Sequence, residues 1–551
     1  MKRGTHPLLI GLLILFVAVR LPGLSTPYQQ DEFKFAVAAE SGFAQASAFA
    51  THPPLTAFLY YSDAQVFGGS NMRVMPLLFG LISAFLLFAV VRRRVDERAA
   101  LWSVFLYSVS FYGVWASLML DTDGAILPTF FLAALYCYDR AKSESRRAIW
   151  VFFLTLALIT GLLVKLSFVL VAGALVADFL FEKRRDLTVA HINYFVAVTL
   201  AFIFLTGAAF VAIKLLNPAF TIGGMVTHVL YYAHLSGRNY LQVVIQSIKA
   251  VFYLSPLLIA PLLFVSKDIL KKVTPFLWYL ALGFVFYFIL FDFSRGALDK
   301  YLMFTIVPLC VISGAALSSC FVSFSPRGHM RAIIAGLLIS IALIALLFTS
   351  PETVSLYPKT EWFSRVIRFD WNMLTAFNGG SGPAGFYVSF LFIAYSFLVA
   401  GASALAGRIY KPLLAAAAVV MVCTGIVYNA VFIEEFSFGK VYGNAETALV
   451  PALAYLATTD AVTRVNTHND IGAYELKHIG KYASHFTAAP QFEYVAREHL
   501  PTFDGAFLVV DIPPLYDGFY TDFFNSCTIL FTARSGFITS TVYSSCTWTK
   551  E

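Results

Sequence analysis

The amino-acid sequence predicts a polytopic α-helical membrane protein that carries a small external α/β domain at its C-terminal end. Of its 551 residues, 59% are hydrophobic and only 13% are charged, and the mean hydropathy is +0.74. Apolar runs of about 20 residues, long enough to cross a bilayer as helices, recur as far as Phe432. Beyond Phe432 the apolar runs are short and strand-like, as in residues 505–510 and 528–532, and helical stretches such as 446–457 separate them.

The first apolar run, residues 7–24, follows Lys2 and Arg3. A basic start followed by a short apolar run is also typical of a cleavable signal peptide. We favour an uncleaved first span, because no convincing small-x-small cleavage site follows and the run continues past Arg20. In either case Asp31 lies outside the membrane.

Clusters of lysine and arginine lie between the apolar runs and set the direction of each span. Because such clusters collect on the cytoplasmic side, the chain must cross the membrane an even number of times between neighbouring clusters. The net charge of +7 is therefore explained by the basic clusters that orient the spans, and nucleic-acid binding is not expected. The clusters are Lys2 and Arg3, Arg92 to Arg94, Lys142 with Arg146 and Arg147, Lys183 to Arg185, Lys267 with Lys271 and Lys272, Arg327 with Arg331, and Arg408 with Lys411.

Two long apolar stretches are predicted to be hairpins by this rule. Residues 149–177 contain Lys165 as their one ionisable side chain and are too long for a single span. Two short spans that meet at Lys165 keep both flanking clusters inside, which places Lys165 at the outer surface. The same argument applies to residues 99–137, which are interrupted only by 121–124, an acidic turn that we also place outside.

The resulting topology has about thirteen spans, with the N-terminus inside and the C-terminus outside. We expect a transmembrane domain over residues 1–432, with long external segments 25–73, 216–248 and 350–384, followed by an external α/β domain over 433–551. The spans lie near residues 8–24, 74–91, 99–119, 125–139, 149–164, 166–181, 192–215, 249–265, 275–291, 302–322, 332–349, 385–406 and 412–432.

Two of the cysteines, Cys527 and Cys546, lie in polar sequence of the external domain, whereas the others lie in apolar runs. In an oxidising compartment these two could form a disulfide, and two free thiols are the alternative. The domain contains neither a phosphate-binding glycine loop nor a nucleophile elbow.

This topology places many ionisable side chains outside the membrane, whereas the interiors of the spans hold almost no charge. An ion-coupled transporter needs ionisable groups near the middle of the membrane, often on broken helices in matching halves, and the sequence has neither. An enzyme that acts on a lipid headgroup needs these groups at the surface. The external residues are Asp31, Glu32, His52, Arg73, Asp121, Asp123, Lys165, His228, His234, Arg238, Asp292, Arg295, Asp299 and Lys300.

Cations and a carboxylate in this set suggest chemistry on a phosphate ester. Lys165, Arg295 and Lys300 could neutralise a phosphate, while Asp31 could deprotonate or orient an attacking group. A phosphate leaving group that is held by cations needs no general acid. Transfer from a lipid-linked phosphate sugar fits these groups, and hydrolysis fits them less specifically.

Short motifs follow the spans in a fixed order. They are Asp31-Glu32 after the first span, Thr51-His52-Pro53-Pro54-Leu55, Arg73 before the second span, Leu118-Met119-Leu120-Asp121-Thr122-Asp123, Val164-Lys165, and Ser294-Arg295-Gly296-Ala297-Leu298-Asp299-Lys300-Tyr301. Each motif alone is weak. Together they resemble the GT-C glycosyltransferases, in particular the bacterial ArnT-like and PMT-like branch of aminoarabinose transferases and protein O-mannosyltransferase relatives, over nearly the whole chain.

The resemblance implies an inverting glycosyltransferase with a polyprenyl-phosphate sugar donor of the undecaprenyl type. Its acceptor would be a lipid A-like lipid, a glycan or a protein of the cell envelope. The enzyme would lie among the membrane lipids of the bacterial inner membrane, with its site facing the periplasm or exterior. A non-enzymatic flippase or transporter of lipid-linked sugars is the alternative function.

The resemblance also implies roles for individual residues. Asp31 matches the family's loop acid, Asp121 matches an acid at the same hairpin tip, and Lys165 matches the lysine that contacts the donor phosphate. Arg295 falls where the aminoarabinose enzymes have a lysine before a tyrosine, here Tyr301. The expected catalytic set is Asp31, Glu32 in a supporting role, and Asp121; the expected phosphate ligands are Lys165, Arg295, Lys300, His52 and Arg73; the expected acceptor or loop residues are Asp123, His234, Arg238 and Tyr301.

The sequence departs from the aminoarabinose enzymes at Thr51-His52-Pro53, where they have Glu-Lys-Pro. The glutamate that takes part in metal binding there is missing, so no cofactor is implied with certainty. His234 still resembles the loop histidine of those enzymes, and His52 could add a second nitrogen ligand. A divalent metal at these two histidines is therefore the alternative.

Simpler interpretations exist for several of these side chains. Asp31 and Asp123 could cap helices, because aspartate is common at helix N-termini. Lys165 could extend along the apolar surface to reach the interface, and Lys300, like Arg295, could be an interfacial anchor.

Overall fold

The computed structural model of the chain describes residues 5–43, 53–184, 188–216, 218, 221–232, 240–291, 298–349, 352–354, 359–377, 382–488, 492–512, 514–515 and 518–548. These residues form two compact units. The first unit comprises Met1–Arg20, Phe35–His329 and Ala404–Ala418, and the second comprises Leu21–Lys34, Met330–Ser403 and Val419–Glu551.

The first unit is built of helices. In chain order they are α1 (Thr5–Ala18), the part of α2 (Asp31–Glu40) that follows Lys34, α3 (Pro54–Phe67), α4 (Val74–Arg94), α5 (Glu97–Val109), α6 (Phe111–Ala116), α7 (Ile126–Ser143), α8 (Arg147–Val164), α9 (Val169–Lys183), α10 (Val189–Leu216), α11 (Ile222–Tyr232), α12 (Tyr240–Ile259), α13 (Lys267–Lys272), α14 (Thr274–Phe284), α15 (Leu298–Tyr301) and α16 (Ile306–Cys320).

Many of these helices are apolar enough to lie in a membrane. By length and composition, seven helices in the described part of the chain could cross one: Pro7–Ser25, Gly69–Arg94, Arg147–Val164, Leu302–Cys320, Met330–Phe348, Phe390–Ile409 and Lys411–Ser437. Shorter apolar helices occur at Thr199–Leu215, Ala250–Phe264, Thr274–Leu290 and Ala445–Thr458. The predicted polytopic helical membrane fold is confirmed, while the count of thirteen spans and their orientation stay predictions.

In both predicted hairpins the chain turns at the expected residues. Helix α8 ends at Val164, and Lys165 adopts an extended backbone (φ −156°, ψ 136°) before the chain turns into α9. The acidic turn lies between α6 and α7, where a Cβ atom at Gly124 would overlap the carbonyl oxygen of Ala116. The stretch predicted as one span over residues 99–119 is divided into α5 and α6, because Ser110 is extended (ψ 128°).

The second unit contains the remaining helices and both sheets. Its helices include α17 (Met330–Ala345), α18 (Lys359–Ile367), α19 (Phe390–Ile409), α20 (Leu414–Ser437), α21 (Ala445–Thr458), α22 (Ala473–His478), α23 (Glu493–His499) and α24 (Phe519–Asn525), of which α19 and α20 also extend into the first unit. Its strands are β1 (Glu352–Thr353), β2 (Met373–Phe377), β3 (Phe386–Ser389), β4 (Val465–His468), β5 (Tyr482–Phe486), β6 (Ala506–Val510), β7 (Thr528–Ser535) and β8 (Ile538–Ser544).

The C-terminal sheet has the strand order β5-β4-β6-β8-β7. Strand β4 is parallel to β5 and β6, whereas β8 is antiparallel to β6 and β7. A small α/β unit was predicted here, and β6 and β7 coincide with the two strand-like runs named from the sequence. The segment 350–384, predicted only as a long external segment, contributes β1 and β2 to a second, three-stranded sheet. The domain boundary at residue 432 stays a prediction.

A disulfide joins Cys527 to Cys546 across 19 positions of the sequence. Because the bond restricts the unfolded chain, replacing both cysteines by serine is expected to lower the free energy of unfolding by about 3 kcal/mol. Thermal unfolding of the purified protein with and without a reducing agent measures this loss. An unchanged melting temperature in the double variant would show that the bond contributes nothing to stability.

Candidate functional site

Two acids of the turn between α6 and α7 meet the lysine at the junction of α8 and α9. The ammonium of Lys165 is paired with the carboxylate of Asp123, and it lies 3.8 Å from an oxygen of Asp121. All three residues are buried. Long-range packing of the two hairpins therefore brings together three of the side chains that the sequence singled out.

A fourth charged group completes this cluster. Lys300 of α15 is paired with Asp121, and its side chain is only 4% exposed. The ring of Tyr301 lies 5.5 Å from the Lys165 nitrogen and 5.2 Å from the Lys300 nitrogen, within the range of cation–π attraction. We call Asp121, Asp123, Lys165 and Lys300 the four-charge cluster. It holds two carboxylates and two ammonium groups, so its formal charges cancel.

Burial and mutual attraction control protonation in the cluster. Burial raises the pKa of the Asp123 carboxyl, Lys165 opposes this rise, and the neighbouring Asp121 adds to it. Burial alone would lower the pKa of Lys165, but the carboxylates of Asp123 and Asp121 outweigh it and raise that pKa. Lys165 is thus held as a cation, while Asp123 is the carboxylate that takes up a proton more readily than a free aspartate.

Helix α3 supports the backbone just before both charged positions. The hydroxyl of Tyr60 donates to the carbonyl of Leu120 at 2.5 Å, and the hydroxyl of Thr56 donates to the carbonyl of Val164 at 2.5 Å. One turn of a helix separates these two hydroxyls, which places both on the same face. They therefore fix the chain positions immediately before Asp121 and Lys165.

Arg73, predicted as a phosphate ligand, is fully buried and donates to the carbonyl of Leu118 at 2.7 Å. It precedes α4 and contributes to the support of the same acidic turn. Its role toward a phosphate stays a prediction.

Asp31 and Glu32 begin α2 and belong to the second unit. The Asp31 side chain is 37% exposed and lies 3.5 Å from Lys34, whereas Glu32 is fully buried. The carbonyl of Gln30 accepts a helical hydrogen bond from the amide of Lys34 at 3.1 Å, so Gln30 stands at the N-cap position of α2. The predicted division of labour between Asp31 and Glu32 stays a prediction, as does their placement in one site with Asp121.

Four predicted site residues, His52, His234, Arg238 and Arg295, lie outside the described residues. The two candidate metal ligands are among them. Within the described part of the chain, no three His, Cys, Asp or Glu side chains are grouped as a metal ion would need. The metal alternative is therefore untested.

Comparisons with known proteins agree with this architecture. Residues 51–209 match the family model of dolichyl-phosphate-mannose-protein mannosyltransferase. ArnT from Cupriavidus metallidurans bound to undecaprenyl phosphate superposes with a TM-score of 0.52 at 14% identity, covering 97% of each chain. The chain therefore shares the GT-C fold of the ArnT structures, and its residues 51–209 are similar to the mannosyltransferase family. The apo state of ArnT from the same organism superposes equally well, with a TM-score of 0.52, 15% identity, and coverage of 97% of this chain and 98% of that one. No curated protein sequence matches the chain.

The family match covers three of the four residues of the cluster. It includes Asp121, Asp123 and Lys165 but ends before Lys300, and it begins after Asp31. The supporting role of the Thr56 and Tyr60 side chains was not predicted from the sequence. Their spacing of four residues directly after Pro53-Pro54 was the available signal, but hydroxyl and phenol groups at this spacing are common on ordinary helices.

Proposed function

We propose that the protein is an inverting glycosyltransferase that moves a sugar from a polyprenyl-phosphate donor of the undecaprenyl type to an acceptor of the cell envelope. The four-charge cluster carries this proposal, because it buries two cations beside two acids in a protein with the GT-C fold. Buried charges are costly unless they are paired, and they cluster at functional sites. The ArnT structure with undecaprenyl phosphate and the family match support the same donor class.

The leaving group of this reaction is a phosphate, and cations would stabilise it. Lys165 and Lys300, together with the predicted ligand Arg295, would neutralise the charge that develops on the bridging oxygen. Their present partners, Asp123 and Asp121, would be loosened when an anionic phosphate enters. Because burial raises the pKa of the Asp123 carboxyl, a proton taken up from water as the phosphate enters would neutralise this carboxylate and release Lys165 to the donor.

Asp31 would act on the acceptor. The acceptor oxygen attacks the anomeric carbon, the bond from that carbon to the phosphate oxygen breaks, and its electron pair leaves with the polyprenyl phosphate. A hydroxyl acceptor gives its proton to the Asp31 carboxylate, whereas a phosphate acceptor needs only to be positioned. The partial exposure of Asp31 leaves it accessible, and the full burial of Glu32 suits a supporting role.

We place the site on the outer face of a bacterial inner membrane. The distribution of basic clusters supports this orientation for Asp121, Lys165 and Asp31. The Cys527–Cys546 disulfide supports an oxidising compartment for the C-terminal domain. A periplasmic site would suit acceptors of the envelope, namely a lipid A-like lipid, a glycan or a protein.

Transfer by the purified protein tests the proposal. The protein in detergent is incubated with an undecaprenyl-phosphate-linked sugar and solubilised envelope lipids and proteins, and products are identified by mass spectrometry. We expect a glycosylated acceptor and free undecaprenyl phosphate. A flippase would leave the donor intact in detergent, so an intact donor across candidate sugars would reject the glycosyltransferase. Comparing envelope lipids and proteins from cells with and without the protein then identifies the acceptor.

A further inference from the structure

The segment that precedes Asp31 is joined to the C-terminal domain by hydrogen bonds. The backbone amide of Gln30 donates to the carbonyl of Asn469 at 3.1 Å, and the Gln30 side-chain amide donates to Asn469 Oδ1 at 3.2 Å. Farther back, the Ser25 hydroxyl donates to Glu446 at 3.0 Å. Because Gln30 caps α2, its position determines where the helix that carries Asp31 begins.

Behind Asn469, a hydrogen-bond chain continues into the sheet. Asn469 Nδ2 lies 3.1 Å from His468 Nε2, and His468 Nδ1 lies 3.0 Å from the carbonyl of Val510. A carbonyl can only accept, so Nδ1 carries the proton. Burial lowers the pKa of His468 to about 4, which keeps the ring neutral near pH 7 and leaves Nε2 as an acceptor.

The direction of each bond follows from this tautomer. Asn469 must turn its NH2 group toward His468, and its oxygen must therefore face the amide of Gln30. With the side-chain amide of Asn469 turned the other way, its oxygen would face the acceptor Nε2 of His468. Its NH2 group would then face the donor NH2 group of Gln30. The neutral ring of His468 thus fixes a chain with a single polarity from Val510 to Gln30.

The backbone at this junction is held in a costly conformation. Gln30, Asn469 and Asp470 have φ angles of 45°, 54° and 59°, in the left-handed region that side chains rarely adopt. Such residues persist where their surroundings hold them, and they cluster at functional sites. The backbone amide of Asn469 donates in turn to the carbonyl of Phe486 on β5 at 2.8 Å.

Ring contacts flank the hydrogen-bonded junction on both sides. Phe33 packs edge-on against Tyr482 with ring centres 5.0 Å apart, and Tyr28 packs edge-on against Tyr474 at 5.3 Å. Consistent with these contacts, Leu21–Lys34 groups with the C-terminal domain, although the residues on either side of it belong to the first unit.

We propose that His468 and Asn469 are positioning residues for Asp31, through which the C-terminal domain holds the carboxylate of the first external segment in its working orientation. The proposal rests on the proposed function for the role of Asp31 itself. It assigns the C-terminal domain a part in the reaction through the placement of Asp31. Neither residue needs to touch a substrate.

Two substitutions of His468 separate this role from general support of the fold. In His468→Asn the side-chain amide takes the place of Nδ1, so it keeps the bond to Val510 but does not reach Asn469. In His468→Gln the amide reaches the place of Nε2, where its oxygen accepts from Asn469 and preserves the link to Gln30. His468→Asn is expected to lower kcat by roughly 10- to 100-fold with the donor KM unchanged. His468→Gln is expected to restore most of this loss.

Hydrogen exchange supplies a readout that does not depend on transfer. The amides of Gln30 and the first turn of α2 are expected to exchange faster in His468→Asn than in the wild type, and to return toward wild-type rates in His468→Gln. His499→Asn, a change at an exposed histidine of the same domain, is expected to alter neither exchange nor kcat. If His468→Asn does not fold, Gln30→Glu removes the side-chain donor to Asn469 Oδ1 at the other end of the chain and is expected to give the same two effects.

The outcomes distinguish this proposal from the proposed function. Equal exchange rates and equal kcat values in wild type, His468→Asn and Gln30→Glu would overturn the positioning role, whether or not the protein transfers sugar. Faster exchange in these variants without any wild-type transfer would keep the link between domain and helix but reject the role assigned to Asp31. Loss of kcat in both His468→Asn and His468→Gln would show that the ring supports only the fold.

Discussion

The Asp31→Asn variant is expected to lose about 10²- to 10⁴-fold in kcat while remaining folded in the membrane. Asparagine keeps the shape of the side chain at the start of α2, but it cannot accept the proton of an acceptor hydroxyl. Asp31 is partly exposed and pairs with Lys34 at 3.5 Å, and exposed ion pairs of this kind contribute little to stability. Initial rates of sugar transfer at saturating donor measure the effect.

A matched control for this variant is Asp504→Asn, which makes the same change of charge at an exposed aspartate of the C-terminal domain. It is expected to keep wild-type turnover. If the acceptor is a phosphate, the loss in Asp31→Asn should lie at the lower end of the range, because no proton is removed. Turnover within about twofold of wild type in Asp31→Asn would remove this residue from the chemistry.

The Asp121→Asn variant is expected to lower the free energy of unfolding by about 3–5 kcal/mol. It removes one charge of the buried pair and leaves the ammonium of Lys300, only 4% exposed, beside a neutral amide. The double variant Asp121→Asn with Lys300→Met removes both charges and is expected to recover much of the loss. Thermal unfolding of the purified proteins, followed by tryptophan fluorescence, measures the three stabilities.

Sugar-transfer activity distinguishes a structural role of the four-charge cluster from a role in binding the donor phosphate. The double variant is expected to regain stability but not transfer, because Lys300 would no longer neutralise the donor phosphate. As a control, Lys142→Met breaks the exposed pair with Glu182 and is expected to change stability by less than about 1 kcal/mol. Full recovery of transfer in the double variant would show that the cluster is purely structural.

The sequence predicted the parts of the site that depend on local pattern. A lysine and an acidic turn that interrupt apolar runs, combined with the basic clusters, located Lys165 and Asp121 at helix junctions, and the structure places them there. Helix ends were predictable for the same reason, because a membrane span has a nearly fixed length. The same argument predicts the side of the membrane, which stays a prediction, but it does not predict the distances between side chains.

The pairings could not be predicted, because they join residues far apart in the chain. Lys300 and Tyr301 lie near Asp121 and Lys165 only because α15 packs there, and nothing in their own sequence specifies this. The contact of Gln30 with Asn469 spans most of the chain, and neither residue belongs to a recognisable motif. Likewise, β1 was not predicted, because a strand of two residues carries little periodic signal, and β2 in the same segment was not predicted either.

Inverting transfer of the sugar is tested most directly at the anomeric carbon of the donor. The purified protein is mixed with an undecaprenyl-phosphate sugar labelled with ¹³C at that carbon and with the envelope acceptor fraction, and the label is followed by NMR. The donor signal is expected to be replaced by a product signal of opposite anomeric configuration, with one undecaprenyl phosphate released per sugar transferred. A donor signal that persists unchanged, or a product that retains the donor's configuration, would contradict it.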